Sequence, residues 1–114
     1  MRVGLTVASF ALAAACLVTP AEAIESAADL RGACAAEDEA TRNLCYGYIM
    51  GAGQLYVQLR RAEVIDQIAC AEPVPTLEAI RASVVEWMEA HPEHASETAI
   101  DGLMRAAAAI WPCE

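Results

Sequence analysis

The sequence predicts an all-α fold, a small four-helix, disulfide-bonded domain. Three observations carry that prediction. Apolar residues recur every three or four positions in several stretches, the spacing of one helix face. No stretch alternates apolar and polar side chains over a useful length, so strand signals are weak. Beyond residue 23 four cysteines remain, Cys34, Cys45, Cys70 and Cys113, and an even set behind a secretion signal reads as a disulfide framework.

The amino-terminal segment has the three parts of such a signal. Met1-Arg2 gives a charged start, Val3 to Val18 is apolar, and Ala21-Glu22-Ala23 follows the break at Thr19-Pro20. The run falls short of the roughly 20 apolar residues of a comfortable membrane span. The expected organisation is therefore a secretory signal peptide at 1–23, cleaved after Ala23, and one domain at 24–114. Cys16 lies inside the apolar run behind Ala13-Ala14-Ala15, an arrangement also seen in lipoprotein signals. Leu17 and Val18 continue the run beyond it, which favours ordinary cleavage. Membrane attachment follows only if Cys16 is lipidated.

Each helix has its own signature. The first is expected over about Ser26 to Cys34, with Ala27, Leu30 and Cys34 on one face. Glu37-Asp38-Glu39 follows, where carboxylates interact favourably with the amino-terminal dipole of the next helix. That second helix is expected from about Glu39 to Arg61, with Leu44, Tyr48, Ala52, Leu55 and Leu59 as its stripe. Gly47 and Gly51 lie within it, and each glycine costs a helix interior about 1 kcal/mol. Their four-residue spacing points to tight packing of a neighbouring helix or to a subunit contact. Glu63 to Pro75 is looser, and Pro73 and Pro75 impose extended backbone. Thr76 caps the third helix, whose stripe is Leu77, Ile80, Val84 and Trp87 or Met88, ending near His91-Pro92. The fourth is expected to begin within Pro92 to Ser96 and to bury Ala99, Leu103, Ala107 and Ile110 before Trp111-Pro112-Cys113 ends it.

The intervals between the four cysteines are 10, 24 and 42 residues. Close Cys-x2-Cys pairs, the mark of structural zinc or of thiol redox centres, are absent. Four cysteines allow three pairings. Helix lengths favour Cys34–Cys45 at the junction of the first two helices. An antiparallel third and fourth helix would likewise return Cys113 to Cys70. The alternative is that the long link lets Cys70 return to Cys45 or Cys34.

Net charge is −9, and the chain contains no lysine. An acidic domain with scattered arginines is a poor binder of nucleic acid, where phosphates demand clustered positive charge. Acidity suits a basic protein partner through steering and complementary potential. His91 and His94 have no third ligand nearby, so a helix junction explains them better than a metal. Glu86, Glu89, Glu93 and Glu97 read as a solvated acidic face, with neither a nucleophile nor an oxyanion donor set beside them. No catalytic, metal or cofactor residues are expected, and the domain reads as non-enzymatic. Tyr48 falls on the core stripe. Tyr46 and Tyr56 lie off its centre and join Gly47 and Gly51 as candidates for a partner or subunit interface.

Several short motifs are familiar in order and spacing. Cys45-Tyr46-Gly47-Tyr48-Ile49-Met50-Gly51 resembles the Cys-x-Gly-Tyr-Ile-x-Gly core of the Rap/Tai family, periplasmic immunity proteins of type VI secretion systems. Cys70-Ala71-Glu72-Pro73 with Thr76, His91-Pro92-Glu93 and Trp111-Pro112-Cys113 resemble that family's later motifs. The chain departs from the pattern at Glu78-Ala79-Ile80, at Gly53-Gln54, and along the link Leu59 to Ala69. The resemblance implies an HdeA-like helical fold, often dimeric, located in the periplasm. It also implies a protein partner, a peptidoglycan amidase effector whose active site the domain blocks. Two other readings stand beside it: an HdeA-like periplasmic acid-stress chaperone, which shares the fold class, and an envelope protein with an unidentified partner.

Overall fold

A computed structural model describes residues 23–114. The expected signal segment and Cys16 lie outside the described residues, apart from Ala23. The order is α1 (Ala27–Ala35), α2 (Glu39–Arg61), α3 (Leu77–Ala90), a 3₁₀ turn (Pro92–His94) and α4 (Ala99–Ile110). Among the described residues there is no β-strand, only an antiparallel bridge between Ser26 and Thr98. The all-α, four-helix architecture therefore stands as the sequence predicts.

Each helix begins on a side chain that accepts a backbone N–H. Ser26 caps α1 by accepting from Asp29 N, and Asp29 reciprocates by accepting from Ser26 N at 2.9 Å. This is a complete capping box, which satisfies two amino-terminal donors at once. Asp38 caps α2 by accepting from Thr41 N at 2.9 Å, so one carboxylate of the Glu37–Glu39 cluster is a cap as well as a charge. Thr76 caps α3 through Ala79 N at 3.1 Å. The fourth helix starts later than expected. Pro92 opens a separate 3₁₀ turn, and Thr98 caps α4 through Asp101 N.

α2 ends without glycine. Glu63 N donates to Arg60 O at 3.0 Å and Val64 N donates to Leu59 O at 2.9 Å. This is the Schellman pattern, which asks for a left-handed residue just past the helix. Glu63 takes that role at φ 56°, a conformation in which its Cβ crowds the backbone.

α1 sits at the centre and packs on α2, α3 and α4. Its buried face is Ala27, Leu30, Ala33 and Cys34, matched by Val84 and Met88 of α3 and Ala99, Leu103 and Ala106 of α4. A fully buried leucine such as Leu30 contributes about 1.5–3 kcal/mol of transfer free energy. α1 and α4 approach so closely that a Cβ built on Gly102 would lie 2.6 Å from Ala27 Cβ. Here glycine is required by packing, and no periodicity in the sequence singled it out.

The cysteines join as Cys34–Cys45 and Cys70–Cys113, each pair with Cα atoms 4.9 Å apart. The first bridge ties α1 to α2 in the core. The second ties the 62–75 link to the segment after α4. In the loop-entropy account the two contribute about 3 and about 4 kcal/mol respectively.

Candidate protein-binding interface

The expected stripe of α2 is only partly its buried face. Cys45 and Ile49 are buried, and Tyr48 and Ala52 pack half-buried against the core. Leu44 and Leu55 instead turn outward and are 53% and 58% exposed. The reason is geometric: at about 100° per residue, the line through Cys45 and Ile49 faces α1, and Leu44 and Leu55 fall to one side of it. On the other side Met50 and Val57 are also exposed.

From Asn43 to Leu59 α2 contains no charged residue, although much of that stretch faces solvent. In a chain of net charge −9, a long neutral and apolar helix face is unusual for a surface with no partner. Its outer side borders an open groove of about 760 Å³, walled by Ile49, Met50 and Leu55 of α2 and by Pro75, Leu77 and Ile80.

Gly47 and Gly51 lie on this outward side. A Cβ built on either meets nothing within 4 Å, and the same is true of Gly53. Tight packing of a neighbouring helix of the same chain is therefore not what these glycines serve. Among the described residues no neighbour fills the space over either glycine.

The two candidate tyrosines are both anchored within the chain. The Tyr46 hydroxyl donates to the Glu78 carboxylate. Arg81 donates to Glu78 through Nε at 2.8 Å and to Cys34 O through Nη1 at 2.7 Å. This network fastens α2 and α3 to the end of α1. Arg81, and secondarily Tyr46, hold the Glu78 carboxyl down at about 2, and Glu78 in turn raises the Tyr46 phenol. The Tyr56 hydroxyl accepts from Ile68 N at 2.9 Å, which moors the 62–75 link to α2. Tyr46 and Tyr56 thus border the exposed face and hold its surroundings in shape.

At the end of α3, Trp87 stacks against His91 with ring centroids 4.2 Å apart and against His94 at 5.7 Å. His94 Nδ1 lies 2.7 Å from Glu97 Oε1, and Arg105 Nη2 lies 3.0 Å from the same carboxylate. Arg105, and then His94, keep the Glu97 carboxyl below its usual range. Glu97 is therefore a structural ion-pair residue and not part of a free acidic face, and Glu93 Oε1 approaches His94 Nε2 at 3.8 Å from the other side of the ring. Among the described residues no group of three or more His, Cys, Asp or Glu could hold a metal ion.

The model of the Rap1a immunity protein family matches residues 26–113. The chain belongs to that family. The match begins at the cap of α1 and ends at the second disulfide, so it takes in the whole helical domain. The chain has no significant match among curated proteins or solved structures. Immunity proteins act by binding a protein effector, are normally non-enzymatic and are typically periplasmic. Within the described residues, no helix is long and apolar enough to cross a membrane.

Proposed function

We propose that this Rap1a-family chain is a periplasmic immunity protein of a type VI secretion system. In this reading it is delivered by cleavage after Ala23, binds a peptidoglycan amidase effector and inhibits it by occluding the active site. The observation that carries the reading is the charge-free, solvent-facing side of α2, with two glycines that no neighbour in the chain requires. Such a face costs helix stability, and a partner's contact offsets that cost. The acidic remainder of the surface supplies long-range attraction for a basic enzyme and chiefly speeds encounter. Occlusion needs no catalytic group in this chain, only a rigid surface, and two disulfides supply rigidity.

The dimer implied by the sequence resemblance belongs to the same proposal. Leu44 and Gly47 lie on α2 outside the groove and suit a second copy. Met50, Gly51, Leu55 and Val57 line the groove and suit the effector.

The deciding experiment is co-purification with a candidate peptidoglycan amidase effector, followed by an assay of peptidoglycan cleavage. Equimolar capture with loss of amidase activity is the expected result. Suppressed aggregation of unrelated proteins near pH 2–3, without amidase capture, would instead establish the acid-stress chaperone. Light scattering of the isolated protein reads the dimer.

A further inference from the structure

The two disulfides differ sharply in access. Cys34 and Cys45 are both 0% exposed. Cys70 is half-buried, and Cys113, beyond the end of α4, is exposed. Thiol–disulfide exchange requires a thiolate to reach a sulfur of the bridge, so the folded domain offers one target and shields the other.

The accessible bridge holds a segment that little else holds. Past Val64 the 62–75 link has no helix, and Val64, Ile65, Ile68 and Val74 are exposed. Besides the disulfide, it is moored by Ile68 N and Ala69 N, which donate to the Tyr56 hydroxyl at 2.9 and 3.5 Å, and by Cys70 N, which donates to Trp111 O at 2.8 Å. Its last residue, Pro75, is a wall of the α2 groove.

We propose that Cys70–Cys113 is a redox-addressable clasp, opened in the folded protein by a dithiol while Cys34–Cys45 stays closed, and that its opening frees the link that shapes the α2 groove. Its control over binding rests on the reading of that groove as the effector's docking surface.

The chemistry balances with the dithiol as the sole co-reactant. One of its sulfurs, as thiolate, attacks Cys113 Sγ. The Cys70–Cys113 bond breaks, and Cys70 leaves as a thiolate that takes up a proton. The second sulfur of the dithiol then attacks the mixed disulfide and releases Cys113, which takes up the other proton. The cystine gains two electrons, and the dithiol closes to its own disulfide. Reoxidation by a disulfide oxidoreductase reverses both steps.

The test uses the oxidised, processed protein and dithiothreitol as the dithiol. Free thiols are alkylated over time, and the remaining bridges are then reduced and labelled with a second mass tag. Cys70 and Cys113 should acquire the first tag at least about tenfold faster than Cys34 and Cys45, as access dictates. Simultaneous labelling of all four, or earlier labelling of Cys34 and Cys45, overturns the clasp. Hydrogen exchange on the singly reduced protein should show faster exchange at Ile68, Ala69 and Cys70 and unchanged protection in α1. The Cys70→Ser/Cys113→Ser variant should reproduce this without reductant. Retained protection in 62–75 also overturns it. Where the oxidised protein captures the amidase, the singly reduced form should capture it less, and equal capture removes the clasp's control of binding. Failure of the oxidised protein to capture any amidase counts against the immunity reading, and the labelling order then decides the clasp by itself.

Discussion

Replacing both Gly47 and Gly51 with alanine should stabilise the isolated protein. Both positions lie inside α2 and face solvent, and an added Cβ meets nothing within 4 Å at either. No packing term therefore opposes the gain in helix propensity, about 1 kcal/mol for each glycine removed from an exposed helix interior. The double variant should gain about 2 kcal/mol in all, because the two methyls add surface but no clash. For a domain of this size each kcal/mol shifts the melting temperature by about 4–8 °C. The assay is thermal unfolding followed by far-ultraviolet circular dichroism, at dilute concentration and with both disulfides intact. If the proposed contact over these glycines is made, the same variant should bind its partner more weakly. A lower melting temperature in the dilute protein would overturn this expectation, because it would mean that the glycines serve packing within the chain.

Gly102→Ala is the opposing case: its Cβ would lie 2.6 Å from Ala27 Cβ, so overpacking of about 1–3 kcal/mol opposes a propensity gain of about 1 kcal/mol, and a net loss of up to about 2 kcal/mol should appear in urea unfolding. Glu63→Gly removes a left-handed side chain at φ 56°; relief of about 1–2 kcal/mol, less glycine's added unfolded-state entropy of about 0.5–1 kcal/mol, should leave a small gain in the same assay. Acid should weaken the fold through Glu78, whose carboxyl is held at about 2 against an ordinary 4.5. A depressed carboxylate stabilises above its unfolded value and loses that contribution as pH falls through the folded one. Melting temperature should therefore drop between about pH 4.5 and about 2, and Glu78→Gln, which has no such titration, should show a shallower slope.

Much of the fold was legible because helix signals are local. Stripe spacing, the acidic cluster before α2, Thr76 before Leu77 and Pro112 after Trp111 each speak within a few residues of the element they bound. The α1 boundary moved by one residue, since Ser26 is the cap and not the first turn. α4 began later because Pro92 opened a 3₁₀ turn of its own, leaving Thr98 as the cap. The harder errors concern faces. Leu44 and Leu55 sit beside the buried line of α2, and a stripe of mixed register cannot reveal which flank a neighbour covers. Gly102 was invisible for the same reason: its necessity comes from Ala27, far away in sequence. The glycines of α2 were conspicuous, but only the open space around them separates a contact within the chain from one outside it. Glu63 carried no signal, because the Schellman pattern ordinarily announces itself by glycine.

The neutral face of α2, as the docking surface for a protein effector, is the central claim. Its most direct test is the affinity of the amidase for the Met50→Glu and Leu55→Glu variants, measured by calorimetry beside the Glu89→Gln control, with folding of each checked by circular dichroism. Met50 and Leu55 are 50% and 58% exposed, so a charge there should leave the free fold intact. The expected result is at least a tenfold loss of affinity, about 1.4 kcal/mol, for both α2 variants and little change for the control. Unchanged affinity in well-folded Met50→Glu and Leu55→Glu proteins would place the docking surface elsewhere and sink the claim.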